Sequence, residues 1–186
     1  MVLKVEKIST KSQDFKQIKR VYEEVFPKVE RIPLWLLKMR ANEGKAEFCS
    51  LYDENEWVGF FYTILTKKLA YIFFLAVDPD RQGDGYGSKA LEVIKERYQY
   101  YTMGLSSERP SPEAPNNEQR IRRQNFYERN GFTKAGFYSI EKGGVRYDFL
   151  SPQDRVKPNL YVDLMAEFFK QRQAYYLPLR VEKDDE

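Results

Sequence analysis

Apolar and polar residues alternate loosely over 2–8, which predicts a first, half-buried strand. The period then lengthens. Phe15, Ile18, Val21, Tyr22 and Val25 recur at helical spacing, so a helix is expected from an N-cap at Ser12 to about Phe26, with Pro27 ending it. Pro33 suits the first turn of a second helix that reaches about Met39 and stops near Gly44. Two strands follow, 46–52 and 57–66, joined by the turn Asp53-Glu54-Asn55-Glu56. The run 69–77 is apolar on both faces, as a central strand is. Next come a helix over 87–99, a strand over 101–106, a proline-punctuated loop over 109–115 and a helix over 117–130. Strands at 132–141 and 144–150, linked by Lys142-Gly143-Gly144, close the series. The order β-α-α-β-β-β-α-β-α-β-β predicts an α/β fold with helices on both sides of a sheet. Beyond it, Pro158 breaks the chain and Asn159 can cap a helix over 160–171 with Leu160, Leu164 and Phe168 on its apolar face. We divide the chain into a domain over 1–150 and a helical extension over 151–186 packed on it. A dimer arm is the alternative for that helix, and the acidic end from Glu182 reads as a solvated tail.

Between strand 69–77 and helix 87–99 lies Gln82-Gly83-Asp84-Gly85-Tyr86-Gly87-Ser88, preceded by the breaker Asp78-Pro79-Asp80. Glycines at alternate positions remove side chains that would hold an anion away from the main chain. The first amides of the following helix lack intrahelical acceptors and carry the positive end of its dipole. The combination suits a phosphate or pyrophosphate. A dinucleotide fingerprint would need glycine where Ser88 stands, and a Walker A loop would need serine after Lys89 rather than before it. The pattern that fits is Q/R-x-x-G-x-G/A at Gln82, Gly85 and Gly87. Downstream, Asn125-Phe126-Tyr127-Glu128-Arg129-Asn130-Gly131-Phe132 reads as a helix end followed by a strand. Gly131 serves as a left-handed stop, Phe132 packs back on the last turn, and Asn116 with Gln119 offers a capping box at the front.

These two segments, in this order and at this spacing, resemble the signatures of the GNAT N-acetyltransferase superfamily. The resemblance implies a mixed, mostly antiparallel central sheet with helices on both faces. It also implies direct acetyl transfer from acetyl-CoA to a primary amine on a small molecule or peptide. By the same carry-over Leu75, Ala76 and Val77 pair with the pantetheine arm, residues Gln82, Gly83, Asp84, Gly85, Tyr86, Gly87 and Ser88 hold the pyrophosphate, and Asn125 contacts the arm. Asp84 is expected to point outward, away from the phosphates. Tyr127 matches the general acid. Glu108, expected just past strand 101–106, is a candidate base or amine binder, with a solvated loop residue as the other reading. Glu23, Glu24, Glu30 and Trp35 are the acceptor-side wall that relatives build there. Arg120, Arg122, Arg123 and Arg129 read as a solvated basic face, one of which could reach a CoA phosphate. An acyl-CoA sensor without transferase activity is the rival function.

Composition narrows the chemistry. The 186 residues are 42% hydrophobic and 16% aromatic, enough for a packed core. Thirty-one basic and 28 acidic residues leave a net charge of +3, too small to predict a nucleic-acid partner. There is no histidine, which removes imidazole bases, Ser-His-Asp triads and histidine metal ligands. No metal site is expected. The single cysteine, Cys49, excludes an internal disulfide, reads as a packed side chain and suits a reducing, cytoplasmic compartment. No membrane-length apolar run or signal segment is present in the sequence.

Overall fold

The structure is a computed structural model that describes residues 2–8, 13–153, 155–170 and 180–184. In chain order the elements are β1 (Lys4–Lys7), α1 (Phe15–Val25), α2 (Leu34–Asn42), β2 (Ala46–Asp53), β3 (Glu56–Leu65) and β4 (Leu69–Val77). Then follow α3 (Tyr86–Arg97), β5 (Thr102–Glu108), α4 (Asn117–Arg129), β6 (Thr133–Ile140), β7 (Arg146–Ser151), α5 (Pro158–Phe168) and β8 (Arg180–Lys183). Two compact units emerge, the first comprising Met1–Leu65 with Ile72–Gln99 and the second Thr66–Tyr71 with Tyr100–Glu186.

In the first unit β1, β2 and β3 pair antiparallel in sequence order, and β4 lies beside β3. The β2–β3 register shifts between Leu51 and Tyr52: Leu51 faces Gly59 while Tyr52 faces Trp57, so Val58 is skipped. The core is aromatic. Tyr22 from α1 meets Phe74 edge-on with centroids 5.1 Å apart, and Phe48 lies 5.8 Å from Phe60 and 5.2 Å from Tyr62. Such pairs contribute about 0.5–1.5 kcal/mol each beyond the area they bury. Of the helical face predicted for α1, Ile18, Val21 and Tyr22 are buried, but Val25 at the last turn is exposed. Pro33 stands at the cap of α2 rather than inside its first turn. The predicted cap Ser12 lies outside the described residues.

In the second unit β5 pairs antiparallel with β7, β7 with β6, and β6 with β8. Tyr71, Phe137, Phe149 and Tyr161 stack as one cluster, with Phe137 and Phe149 4.7 Å apart and Tyr161 from α5 5.2 Å from Phe149. Gly104 makes the Phe149 position available, since a Cβ there would sit 2.1 Å from Phe149 Cζ. The acidic end is not wholly a solvated tail. Its Glu182 and Lys183 belong to β8, whose four residues are too few and too polar to announce a strand by alternation. The hydroxyl of Tyr138 donates to Glu182 at 2.6 Å and anchors that edge. The far end of the predicted helix 160–171 reaches residue 171, outside the described residues, whereas α5 itself ends at Phe168.

Candidate active site

Strand β4 leads into the glycine loop. Ala76 is buried while Leu75 and Val77 are half-buried, so the strand's end keeps one side accessible. Beyond it the chain is fixed at Asp78. Its N–H donates to the carbonyl of Val58, the residue skipped in the β2–β3 register, at 2.9 Å. The carboxylate of Asp78 accepts from Arg20 Nη2 of α1 at 2.6 Å and from the Asp80 amide at 3.3 Å, ordering the 3₁₀ turn Pro79–Arg81.

The loop then takes two left-handed residues, Gly83 at φ 101° and Gly85 at φ 75°. Open space surrounds the Cβ positions of both, so positive φ rather than crowding requires glycine there. Gly85 is the N-cap of α3 and offers no capping side chain. Among the described residues the amides of 83–88 find no acceptor, and the first helical bond runs from Lys89 N–H to Gly85 O at 3.1 Å. A row of unpartnered amides at a helix start fits an anion such as a diphosphate. Gln82, Asp84 and Ser88 are exposed, and Tyr86 and Gly87 half-buried. The hydroxyl of Tyr86 donates to Asp53 at 2.8 Å, and Arg81 pairs with Glu56 at 2.7 Å. The β2–β3 hairpin thus grips both ends of the loop. Sequence reading missed Asp53, Asp78 and Gly59. The spacing of Asp78-Pro79-Asp80 was the available signal for Asp78 as a turn-capping side chain.

The acceptor-wall candidates all belong to the first unit. Glu23 and Glu24 are exposed on α1, facing Lys19 at 3.9 Å and Arg20 at 3.5 Å one turn earlier. Glu30 is half-buried in the connection to α2, and Trp35 on α2 is 52% exposed.

The second unit holds the remaining candidates. Glu108 is the last residue of β5 and is buried, not a solvated loop residue. Arg120 Nη2 reaches its Oε1 at 3.0 Å, and Arg123 Nη1 its Oε2 at 3.1 Å. Two members of the expected solvated basic face are therefore turned inward on one carboxylate. Arg122, 74% exposed at its side chain and 3.9 Å from Glu118, keeps the solvated role. Asn116 does not form the predicted capping box: its amide donates to Glu108 at 3.4 Å, and its oxygen accepts from Arg120 Nε at 2.8 Å. One turn further along α4, Gln124 donates to the fully buried Asp148 of β7 at 2.6 Å. Asp148 also receives Arg109 and, at 3.1 Å, Lys134. Carboxylates thus fix α4 at two levels.

Tyr127 lies on this helix beside Phe126 and Phe132, with ring centroids 5.2 and 6.4 Å away. Burial raises the pKa of its hydroxyl above the ordinary value, with Arg123 opposing the rise. Asn125 is exposed. The helix stops as expected, with Gly131 at φ 83° and Phe132 N–H donating to Tyr127 O at 3.0 Å. Cys49 is buried and burial pushes its thiol up to about 12, as befits a packed side chain. Among the described residues no group of three metal-ligating side chains gathers, and no helix is long and apolar enough to cross a membrane.

Residues 44–134, which contain both the glycine loop and Tyr127, match the family model of the acetyltransferase (GNAT) domain. That stretch therefore resembles a GNAT acetyltransferase domain, and the fold is the one its solved relatives share. A Bacteroides thetaiotaomicron protein assigned to the GNAT acetyltransferase family superposes with a TM-score of 0.70 at 24% identity, covering 93% of this chain and 98% of its own. An aminoglycoside 6'-N-acetyltransferase in complex with coenzyme A gives 0.61 at 12% identity over 83% and 99%. The ribosomal-protein-S18-alanine N-acetyltransferase of Escherichia coli gives 0.56 at 18% over 84% and 96%. No curated protein matches the sequence.

Proposed function

We propose that this chain transfers an acetyl group from acetyl-CoA to a primary amine by direct attack. The observation that carries the proposal is the run of unpartnered amides at 83–88 at the start of α3. In this reading acetyl-CoA supplies the reactive thioester. Residues 82–88 hold its diphosphate through main-chain N–H groups, Leu75, Ala76 and Val77 pair with the pantetheine arm, and Asn125 is a further contact to the arm. Asp84, exposed, turns its charge to solvent.

Tyr127 donates a proton to the departing sulfur. An ordinary phenol lies about 1.5 pH units above a thiol, so complete transfer is uphill by roughly 2 kcal/mol, and burial of Tyr127 adds to this. The hydroxyl therefore acts chiefly by hydrogen bonding to sulfur as negative charge develops. The opposite proton, released by the attacking amine, needs an acceptor. Both oxygens of Glu108 face guanidiniums, so we assign Glu108 the task of holding α4 against β5 and pass the amine's proton to solvent. Glu23, Glu24, Glu30 and Trp35 stand as the acceptor-side wall, with acidic groups that would attract a cationic amine.

The test is thiol release from acetyl-CoA with an amine library, beside calorimetry of coenzyme A binding. Amine-dependent release supports the transferase. Binding without release across the library supports an acyl-CoA sensor instead, and absence of binding removes both.

A further inference from the structure

The connection between α1 and α2 runs from Phe26 to Pro33 and holds Glu30, with Trp35 just past its end. Within it Glu30 N–H donates to Pro27 O at 2.9 Å and closes one turn, while Val29 is 88% exposed. At Ile32 the main chain is tied from outside the connection. The Tyr22 hydroxyl of α1 donates to Ile32 O at 3.0 Å and accepts from Ile32 N–H at 2.8 Å. One side-chain oxygen thus serves both polar main-chain groups of a single residue. A phenolic hydroxyl can donate and accept together, so the two bonds are compatible. Tyr22 is 2% exposed, and burial raises its pKa, which preserves the neutral group that plays both parts.

The ring of the same side chain is set by the strand that follows into the glycine loop. It lies edge-on to Phe74 of β4 with centroids 5.1 Å apart, and Phe26 meets Phe74 at 4.9 Å. Phe60 of β3 backs Tyr22 at 6.3 Å. Phe74 is followed directly by Leu75, the first of the three residues given to the pantetheine arm. A tyrosine is a rigid ring on two torsions, so wedging the ring among Phe26, Phe60 and Phe74 fixes where its hydroxyl stands. All of these residues belong to the first unit.

Resting on the transferase reading above, we infer that Tyr22 is a positioning residue for the amine acceptor, a spacer of fixed length between β4 and the connection that bears Glu30. Tyr22 itself touches neither substrate. Its hydroxyl holds Ile32, and with it the acceptor-side wall, at the separation from β4 that attack on the thioester needs. A displacement of about 1 Å at such a wall can cost up to a hundredfold in rate. The ring contacts alone do not reach the main chain of the connection, so the oxygen carries this role.

The experiment compares the native protein with Tyr22→Phe, which removes one oxygen and keeps the ring. Thiol release from acetyl-CoA with the best amine of the library should show the KM for that amine rising about tenfold, with the KM for acetyl-CoA within about twofold of native. Tyr98→Phe is the control. Its ring is 3% exposed just past α3, and its hydroxyl donates to Glu47 at 2.7 Å. That variant should lower the urea midpoint and leave both KM values alone. Amide hydrogen exchange reads the tie in the native protein itself, where Ile32 N–H should exchange slowly, and much faster in Tyr22→Phe. An unchanged amine KM in Tyr22→Phe, equal rises in both KM values, or an Ile32 amide that exchanges freely in the native protein overturns the inference and leaves the transferase standing. Absence of release with every amine removes the transferase reading, and this role with it.

Discussion

Gly59 offers the sharpest test of how the framework sets the cofactor strand. A Cβ on this residue of β3 would lie 2.3 Å from the Ala76 carbonyl oxygen and 3.1 Å from Val77 Cα. Non-bonded heavy atoms settle at about 3.5 Å, so Gly59→Ala requires β3 and the end of β4 to separate by about 1 Å. Both colliding atoms are main chain and cannot swing aside. Overpacking of this kind costs about 1–3 kcal/mol, readable as a lower urea midpoint with an unchanged slope. A second effect follows if Ala76 and Val77 meet the pantetheine arm. A displacement of about 1 Å at the reacting centre can cost up to a hundredfold in rate. We therefore expect KM for acetyl-CoA to rise and kcat/KM to fall between tenfold and a hundredfold. Gly104→Ala separates the two effects. Its Cβ would collide with the Phe149 ring at 2.1 Å, so stability should fall while KM for acetyl-CoA stays put. The reasoning is refuted if Gly59→Ala keeps its urea midpoint, or loses stability with the kinetic constants of Gly104→Ala.

Tyr127→Phe should bind coenzyme A within about twofold of the native affinity by calorimetry while kcat drops by about a hundredfold. Because burial raises its pKa, Tyr127 stays protonated to higher pH than a free phenol, and kcat should show no alkaline decline below about pH 10. Asp148→Ala would leave Arg109 with Asp184 alone and buried Gln124 without its acceptor, a loss of about 1–3 kcal/mol in urea unfolding. Cys49, raised to about 12 by burial, should resist an aromatic disulfide reagent at pH 8 in the native protein and react once unfolded. Its ionisation in the unfolded chain begins near 8.5, so the stability tied to the neutral thiol is intact below that pH and drains away toward 12.

Strands with long apolar runs and helices closed by glycine were legible from local pattern. Strand β4 was expected over 69–77, the span it occupies, and α4 was misjudged by a single residue at its end. Ser12 and residue 171 lie outside the described residues, so those two boundaries have no structural counterpart. The glycine loop was legible because positive φ leaves few alternatives to glycine at 83 and 85. What escaped were partnerships across sequence distance. Asn116 carries the side chain of a helix cap, yet Arg120 and Glu108 claim its polar atoms. Glu108 looked like a loop residue because the polar tail of β5, Ser106-Ser107-Glu108, breaks the apolar pattern, although pairing with β7 continues to Tyr147. Nothing local in Arg-Val-Glu-Lys announces β8, which owes its form to the edge of β6. Pattern reveals what a segment does with its neighbours in sequence, and charge pairs are made with neighbours in space.

The capture of Glu108 by two guanidiniums has a practical corollary for an enzyme without any imidazole. Through the neutral range, the logarithm of kcat/KM should climb with unit slope until the nucleophile loses its own proton, and the bend belongs to the substrate. An amino terminus would place that bend at about 7.7–8.0, an aliphatic side-chain amine at about 10.4. A single pH titration of turnover thus becomes a reading of which nitrogen the enzyme modifies.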